Sequence, residues 1–435
     1  MEETPRHPLA VARMARGLTQ DALAAKAGAG RRGLRSGTDR ARLRKWERGV
    51  EHSEEAQLYI AEALDLPART VRSDDWPGWI PQTMTGVVPL GPFSFSSVPA
   101  LREALRTAME RRTFLTISGS ALTVLAAQWA DSDASPLTRA RDGKLIGDEF
   151  VALLEDTSRH LAALPTEQRQ HTAALLDAHL STVTDLLEHC RYTPAVGLRL
   201  HTLAASLAQT VAWHRFDLGH HITARQYWVA GLHSAHAAAD HDMGAGVLGD
   251  LAYQAAWRDD HATAAAILTR ALTRARHPAA RSLLQLRLAR TLAAQGEQRP
   301  ALRAIAAAEH HLSDARTQRP AWCAWMSDAD LAVDTGQALL DLGDTTRAHQ
   351  LITEGERLLP AARDKTRGVF LAYRASSYLT AKQPAAAAAA AAESLLLAQR
   401  IGAPRCVTLV HDLLPRFQPY RQEQGVPELL ELAAA

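Results

Sequence analysis

Only three of the 435 residues are cysteine (Cys190, Cys323, Cys406), and their spacing fits neither a disulfide framework nor a zinc motif. A reducing, cytoplasmic compartment is expected on that ground. Aromatic residues make up 5% of the chain, and stretches of strict apolar–polar alternation are few, which argues against a sheet protein. No Walker loop is present, and no G-x-G-x-x-G follows a strand, so nucleotide chemistry has no support. Neither a Ser/His/Asp nor a Cys/His set can be assembled. No catalytic residue, metal or cofactor is therefore expected. Lysine is scarce as well: five of the 49 basic residues (Lys26, Lys45, Lys144, Lys365 and Lys382), the rest being arginine. What remains is Ala- and Leu-rich helical sequence, long enough for two or three domains.

Basic charge is concentrated in one place. From Lys26 to Arg48 there are nine Lys/Arg residues against Asp39 and Glu47, a local excess of seven in a chain whose total is +2. Such a patch is the electrostatic footprint of a nucleic-acid surface. Around it, Thr19 is placed to cap a helix reaching about Ala27, with Leu23 and Ala27 on one face. Thr38 or Asp39 is placed to cap a second helix, whose Leu43 and Trp46 point inward together. Arg40, Arg42, Arg44 and Lys45 are left on its outer faces, and Gly49 is expected as its C-cap. A helix over Leu9–Arg16 and another over Ser53–Leu66, with Ala56, Ile60, Ala63 and Leu64 inward, complete a four-helix unit. A helix presented in this way suits the major groove, where Arg donates bidentately to guanine.

The pattern LTQDALA followed by LRKWERG resembles the lambda-repressor-like, or XRE, helix-turn-helix family over about the first 70 residues. The resemblance implies that Arg40, Ala41, Arg42 and Lys45 read bases. It further implies that Gln20 meets the DNA backbone and that Arg44 and Arg48 lie near phosphates. One departure is plain: Gln20 to Trp46 spans 26 positions, whereas the family has about seventeen, so the turn is not a tight one. The extra residues fall within Gly28–Thr38, either a basic flap in which Arg31 touches phosphate or a long loop.

Between Trp76 and Ala100 lie five prolines and three glycines, which read as a linker. The next segment, Glu110–Ala130, opens with Arg111-Arg112 and then Phe114-Leu115, and looks like a twin-arginine export signal. Export signals sit at the N-terminus, and here a DNA-binding unit precedes it. As a membrane span the apolar run is too short and too polar, about 18 residues with Thr, Ser, Gly and Gln against the ~20 needed. A buried helix of the body is expected instead. Actinobacterial XRE regulators that resemble this chain carry a similar internal segment.

From about Gly147 onward the chain reads as a series of helical pairs. Turns at Gly219, Asp259, Gly296, Gly343 and Lys382 are 40, 37, 47 and 39 residues apart. Five, nine and twelve residues after each turn stand small–large–small sets: Ala224, Trp228, Gly231; Ala264, Leu268, Ala271; Ala301, Ile305, Ala308; Ala348, Ile352, Gly355; and a degenerate Ala387, Ala391, Ser394. These units resemble tetratricopeptide (TPR) repeats, although longer than the usual ~34 residues. The final pair, Pro404–Leu432, is expected to cap the stack. Such stacks expose a concave surface. Its candidate effector-binding residues are Trp213, Tyr253, Trp257, Trp325, Arg367, Tyr373 and Tyr378, the competing possibility being inter-repeat core.

Seven of the 19 histidines fall between His201 and His241. His233, His236 and Asp240 share a helix face, but no H-E-x-x-H motif accompanies them. An ordinary polar, exposed face is expected rather than a metal site.

The expected fold is all-α. It comprises an XRE domain (1–75), a Pro/Gly-rich linker (76–100), connecting helices (101–146) and a TPR-like domain (147–435). The expected function is that of a cytoplasmic, sequence-specific regulator binding double-stranded DNA as a homodimer, with no membrane partner and with a peptide or small molecule sensed by the repeats. This architecture is similar to that of peptide-pheromone receptor regulators. The alternative is a DNA-bound scaffold whose repeats recruit a protein without a small ligand.

Overall fold

The computed structural model describes residues 8–15, 18–29, 39–47, 54–64, 97–109, 119–131, 144–163, 172–315 and 319–434. Among them the chain is helical throughout; the sole β feature there is an isolated bridge between Leu145 and Arg191. It divides into two compact units, Met1–Gly91 with Met109–Gln128, and Pro92–Ala108 with Trp129–Ala435.

The first unit contains α1 (Pro8–Ala15), α2 (Gln20–Ala29), α3 (Arg40–Trp46) and α4 (Glu54–Ala63). Asp39 caps α3 by accepting from the Arg42 N–H at 2.7 Å, and Thr19 Oγ1 accepts from the Ala22 N–H at 3.1 Å, as short polar residues do at helix starts. Leu9, Leu23, Ala27, Leu43, Trp46, Ile60, Ala63 and Leu64 form one core, with Ala56 packed against it. The inward residues expected from helical spacing are those found inward. Gly49 and the segment 30–38 lie outside the described residues.

Two helices follow, α5 (Ser97–Met109) and α6 (Gly119–Asp131). The Pro/Gly-rich character expected to persist to Ala100 gives way at Ser97. Pro99 sits in the first turn of α5, where its missing N–H has no helical acceptor to forfeit. Residues 76–96 are outside the described set, as are 110–118 with the Arg111-Arg112 pair. In α6, Leu122, Leu125, Ala126 and Trp129 are buried. No helix among the described residues is long and apolar enough to cross a membrane.

In the second unit α7 (Asp148–Ala163) and α8 (Ala173–His189) precede six successive helix pairs. The pairs are α9 (Pro194–Asp217) with α10 (His221–Ala237), α11 (His241–Trp257) with α12 (His261–Arg274), and α13 (Pro278–Ala294) with α14 (Gln298–Asp314). They continue as α15 (Asp328–Asp341) with α16 (Thr345–Leu358), α17 (Asp364–Thr380) with α18 (Pro384–Ile401), and α19 (Pro404–Phe417) with α20 (Val426–Ala434). The most extensive contacts are those within the first five pairs.

One device closes each of those five pairs. Gly219, Asp259, Gly296, Gly343 and Lys382 all adopt left-handed φ, between 57° and 88°. The N–H of the following residue reaches back five positions to a carbonyl: His220 to Arg215, Asp260 to Ala255, Glu297 to Leu292, Asp344 to Leu339, Gln383 to Tyr378. That is the Schellman closure, which satisfies carbonyls the helix leaves open. Asp260 and Asp344 then cap the second helices of their pairs through the Thr263 and Arg347 N–H groups. The same left-handed turn recurs between pairs at Ala239 and Gly402, two positions the repeat spacing did not single out.

Every residue of the five small–large–small sets is buried. At Gly355 the reason for a small residue is direct: a Cβ there would come to 2.6 Å from the Ala329 carbonyl oxygen on the facing helix. His233 and His236, expected on an exposed polar face, are instead buried, at 0% and 2% exposure. Helix α10 packs against both α9 and α11, so little of it is left to water. No group of three or more His, Cys, Asp or Glu among the described residues is arranged to hold a metal.

Candidate functional site

Because residues three and four apart share a helix face, the first helix of each pair presents one stripe to the inside of the stack. On α9 the stripe is Gln209, Trp213 and Asp217, on α11 Asp250, Tyr253 and Trp257, and on α13 Arg287, Arg290 and Ala294. On α15 it is Asp330, Asp334 and Asp341, on α17 Thr366, Phe370 and Tyr373, and on α19 Arg405 and Leu409. Together they enclose a cavity of about 800 Å³.

The walls are aromatic and the polar groups are ionic. Trp213, Tyr253 and Phe216 meet with ring centroids 5.5–5.8 Å apart, in tilted and edge-on arrangements. Asp250 is buried in the middle of a largely apolar helix. It accepts from Gln209 Nε2 at 2.6 Å, Trp213 Nε1 at 3.1 Å and Arg287 Nη1 at 2.8 Å. Burial pushes its carboxyl above the usual carboxylate range, against the pull of Arg287. Arg290 donates to Asp334 at 2.8 Å and to the Tyr373 hydroxyl at 3.1 Å, and lies 4.9 Å from the Tyr373 ring centroid. Burial works against the charged guanidinium of Arg290, but Tyr373 and Asp334 outweigh it and its pKa is raised. Arg363 forks onto both oxygens of Asp330 at 2.8 Å. Lys365 and Arg405 both face Asp217, the first in a close ion pair and the second at 3.5 Å from Nε. The fifth and sixth pairs are thereby brought onto the first.

Five of the seven effector candidates named from sequence line this cavity: Trp213, Tyr253, Trp257, Trp325 and Tyr373. Arg367 and Tyr378 do not. Arg367 donates to the Leu359 carbonyl, and Tyr378 packs beside His349 against the core of the last pairs. The ionic residues Asp217, Asp250, Arg287, Arg290, Asp334 and Arg405 were not named. A usable signal was present: Asp250 is the one charged residue in GVLGDLAYQAAW, where a buried carboxylate requires a partner.

Of the residues named for DNA contact, Arg40, Ala41, Arg42, Arg44 and Lys45 are all exposed on α3. Arg40 pairs with Asp21 at 3.2 Å, both side chains about two-thirds exposed. Gln20 is half-buried and donates to Glu47 at 2.5 Å, and Glu47 also accepts from Arg13 Nε at 2.5 Å. Arg31 and Arg48 lie outside the described residues.

No known family matches the chain, and no curated protein does. Among solved structures, nine chains match. One comes from the crystal structure of the APC/C hetero-tetramer Cut9-Hcn1. It is 14% identical, covering 88% of this chain and 84% of that one, with a TM-score of 0.28. A likeness of that size carries no weight beside the local geometry. The TPR-like character of the second unit rests on its own helix pairs, their shared turn and the cavity their first helices enclose.

Proposed function

We propose that this chain is a sequence-specific DNA-binding regulator of transcription, acting without catalysis in the cytoplasm. Its residues 1–75 form a lambda-repressor-like helix-turn-helix head, and its TPR-like repeats dimerise and hold an effector in the cavity. The observation that carries this is α3: Leu43 and Trp46 anchor it in the core while Arg40, Arg42, Arg44 and Lys45 are exposed together. Side chains so placed suit base edges and phosphates, and the exposed Arg40–Asp21 pair is too weak to withhold Arg40 from DNA.

Selection of bound duplexes from a random pool tests it. Arg40→Ala and Arg42→Ala are each expected to cost about 1–3 kcal/mol on the preferred site and to relax preference at one position. Arg31→Ala and Arg48→Ala should instead weaken all sequences alike and flatten the salt dependence. If Arg40→Ala and Arg42→Ala both leave the selected site and its affinity unchanged, α3 is not the helix that reads bases.

A second expectation concerns assembly. Phe150 and Leu153, three apart on α7, and Leu175 on α8 are 43%, 60% and 58% exposed. Large apolar side chains left to water in this way support a contact surface on the second unit. A homodimer built there would bind paired half-sites spaced by about one helical turn, ~34 Å, or a multiple of it. Sedimentation of the full chain and a half-site spacing series check this, with Leu153→Asp expected to dissociate the dimer. A monomer at micromolar concentration, indifferent to spacing, removes dimeric DNA recognition. The same surface and the TPR-like fold also favour the alternative, a DNA-bound scaffold that recruits a protein partner. In that case the cavity takes no small ligand.

A further inference from the structure

We propose that the Lys365–Arg405 end of the cavity is a carboxylate-binding subsite, occupied in this structure by Asp217. The effector it takes is an organic carboxylate carried on a flat apolar body. This rests on the cavity being a ligand site, as argued above, and specifies what that ligand is.

Elsewhere in the cavity each arginine has an aspartate of its own: Arg287 with Asp250, Arg290 with Asp334, Arg363 with Asp330. At this end one carboxylate faces two cations. Asp217 is bound closely by Lys365, whereas its Oδ1 stands 3.5 Å from Arg405 Nε, and neither of those two atoms makes a hydrogen bond. Asp341, the remaining lining carboxyl, hydrogen-bonds Gln337 and makes no ion pair with Lys365 or Arg405. The Arg405 guanidinium lies 5.8 Å from the Trp213 ring centroid and 6.0 Å from that of Phe216, and its buried Nε has no hydrogen-bond acceptor. A planar guanidinium fork matches the two oxygens of a carboxylate. Beside it, Trp213, Tyr253 and Tyr373 offer ring surface for an apolar body, within a volume suited to a ligand of drug size.

Asp217 belongs to the first pair, and Lys365 and Arg405 to the fifth and sixth. A ligand carboxylate that completes the Arg405 fork competes with Asp217 and releases the first pair from the last. Occupancy is thereby coupled to opening of the stack, in proportion to the ligand's preference for the open form.

Isothermal titration of the full chain with 2-naphthoate, its neutral counterpart 2-naphthalenemethanol, and inorganic phosphate tests this. Asp217→Asn removes the competing charge and should tighten 2-naphthoate binding about tenfold while leaving the alcohol unchanged. Arg405→Gln should weaken 2-naphthoate about tenfold or more, again without effect on the alcohol. Circular dichroism establishes that each variant is folded. Should Asp217→Asn fail to fold, Lys365→Gln takes its place with the opposite sign: like Arg405→Gln, it must weaken the acid and leave the alcohol unchanged, and equal loss for both overturns the subsite. Equal binding of acid and alcohol by Asp217→Asn overturns the carboxylate subsite but leaves the cavity a ligand site. Phosphate bound as tightly as 2-naphthoate overturns it in favour of a phosphate site. Absence of binding by either naphthalene compound removes the ligand site itself, whereas failure of DNA retention would appear only in the Arg40 and Arg42 experiments.

Discussion

Arg287→Met is expected to destabilise the helical stack by about 3–5 kcal/mol, because it leaves the Asp250 carboxylate buried without its countercharge. The two side chains are 9% and 3% exposed, so water cannot replace the lost partner. Gln209 and Trp213 would still donate to Asp250, but both are neutral. Burial, already the dominant influence on Asp250, would then be opposed only by those two neutral donors, and its pKa would rise further. The sign follows. With a folded-state pKa above the unfolded value, Asp250 holds its proton more tightly in the native state. The deficit of Arg287→Met should therefore shrink as pH falls toward the ordinary aspartate value of ~3.9. Adding Asp250→Leu should recover most of the loss, since a pair replaced at both ends leaves no buried charge. Urea unfolding followed by circular dichroism at neutral and mildly acidic pH measures all three. A loss under about 1 kcal/mol, the range of an exposed pair, would mean that the interior of the stack is wet at this point.

Wild-type stability is expected to fall steeply below neutrality. Burial lowers the pKa of His201 to about 4 and that of His233 to about 3, the latter helped by His236. In the unfolded chain both should titrate near 6.5. Below that value the unfolded state binds protons that the folded state refuses. The stability these neutral imidazoles contribute is fully present above pH 6.5 and is lost as pH falls toward their folded-state values. The slope is about 1.4 kcal/mol per pH unit for each histidine. His221, His241, His311 and His349 are shifted in the same direction, mainly by burial, and add to it. Unfolding free energies across this range give the slope, and His201→Gln should flatten it by one proton. A stability profile that stays level down to about pH 4.5 would show that these histidines protonate without unfolding.

Local rules were legible at single residues. Asp39 was one of two candidates for the cap of α3, and it is the one that accepts from the Arg42 N–H. Leu43 and Trp46 point inward because three positions bring them back to one face. Burial of histidine was not legible. A helix covered on both flanks looks, residue by residue, like one covered on a single flank until its neighbours are known, and His233 and His236 fell on that ambiguity. Trp213 and Tyr378 show the same limit among aromatics. Both lie on first helices of pairs, yet Trp213 faces the cavity and Tyr378 packs beside His349.

By itself the sequence determined the pairing of helices along the stack. Helix closure is local: Gly219, Asp259, Gly296, Gly343 and Lys382 terminate their helices through bonds five residues long, and the small residues that follow at fixed offsets set how closely partners approach. Only the tertiary structure decided what the pairs enclose. The small rotation from one pair to the next leaves no mark in any single pair, but summed over the stack it brings Asp217 onto Lys365, 148 residues away. It also sets Asp250 against Arg287 and Arg290 against Asp334. Those contacts turn a row of ordinary helices into a charged, aromatic-walled cavity, because a buried charge is tolerated only where the fold delivers its partner.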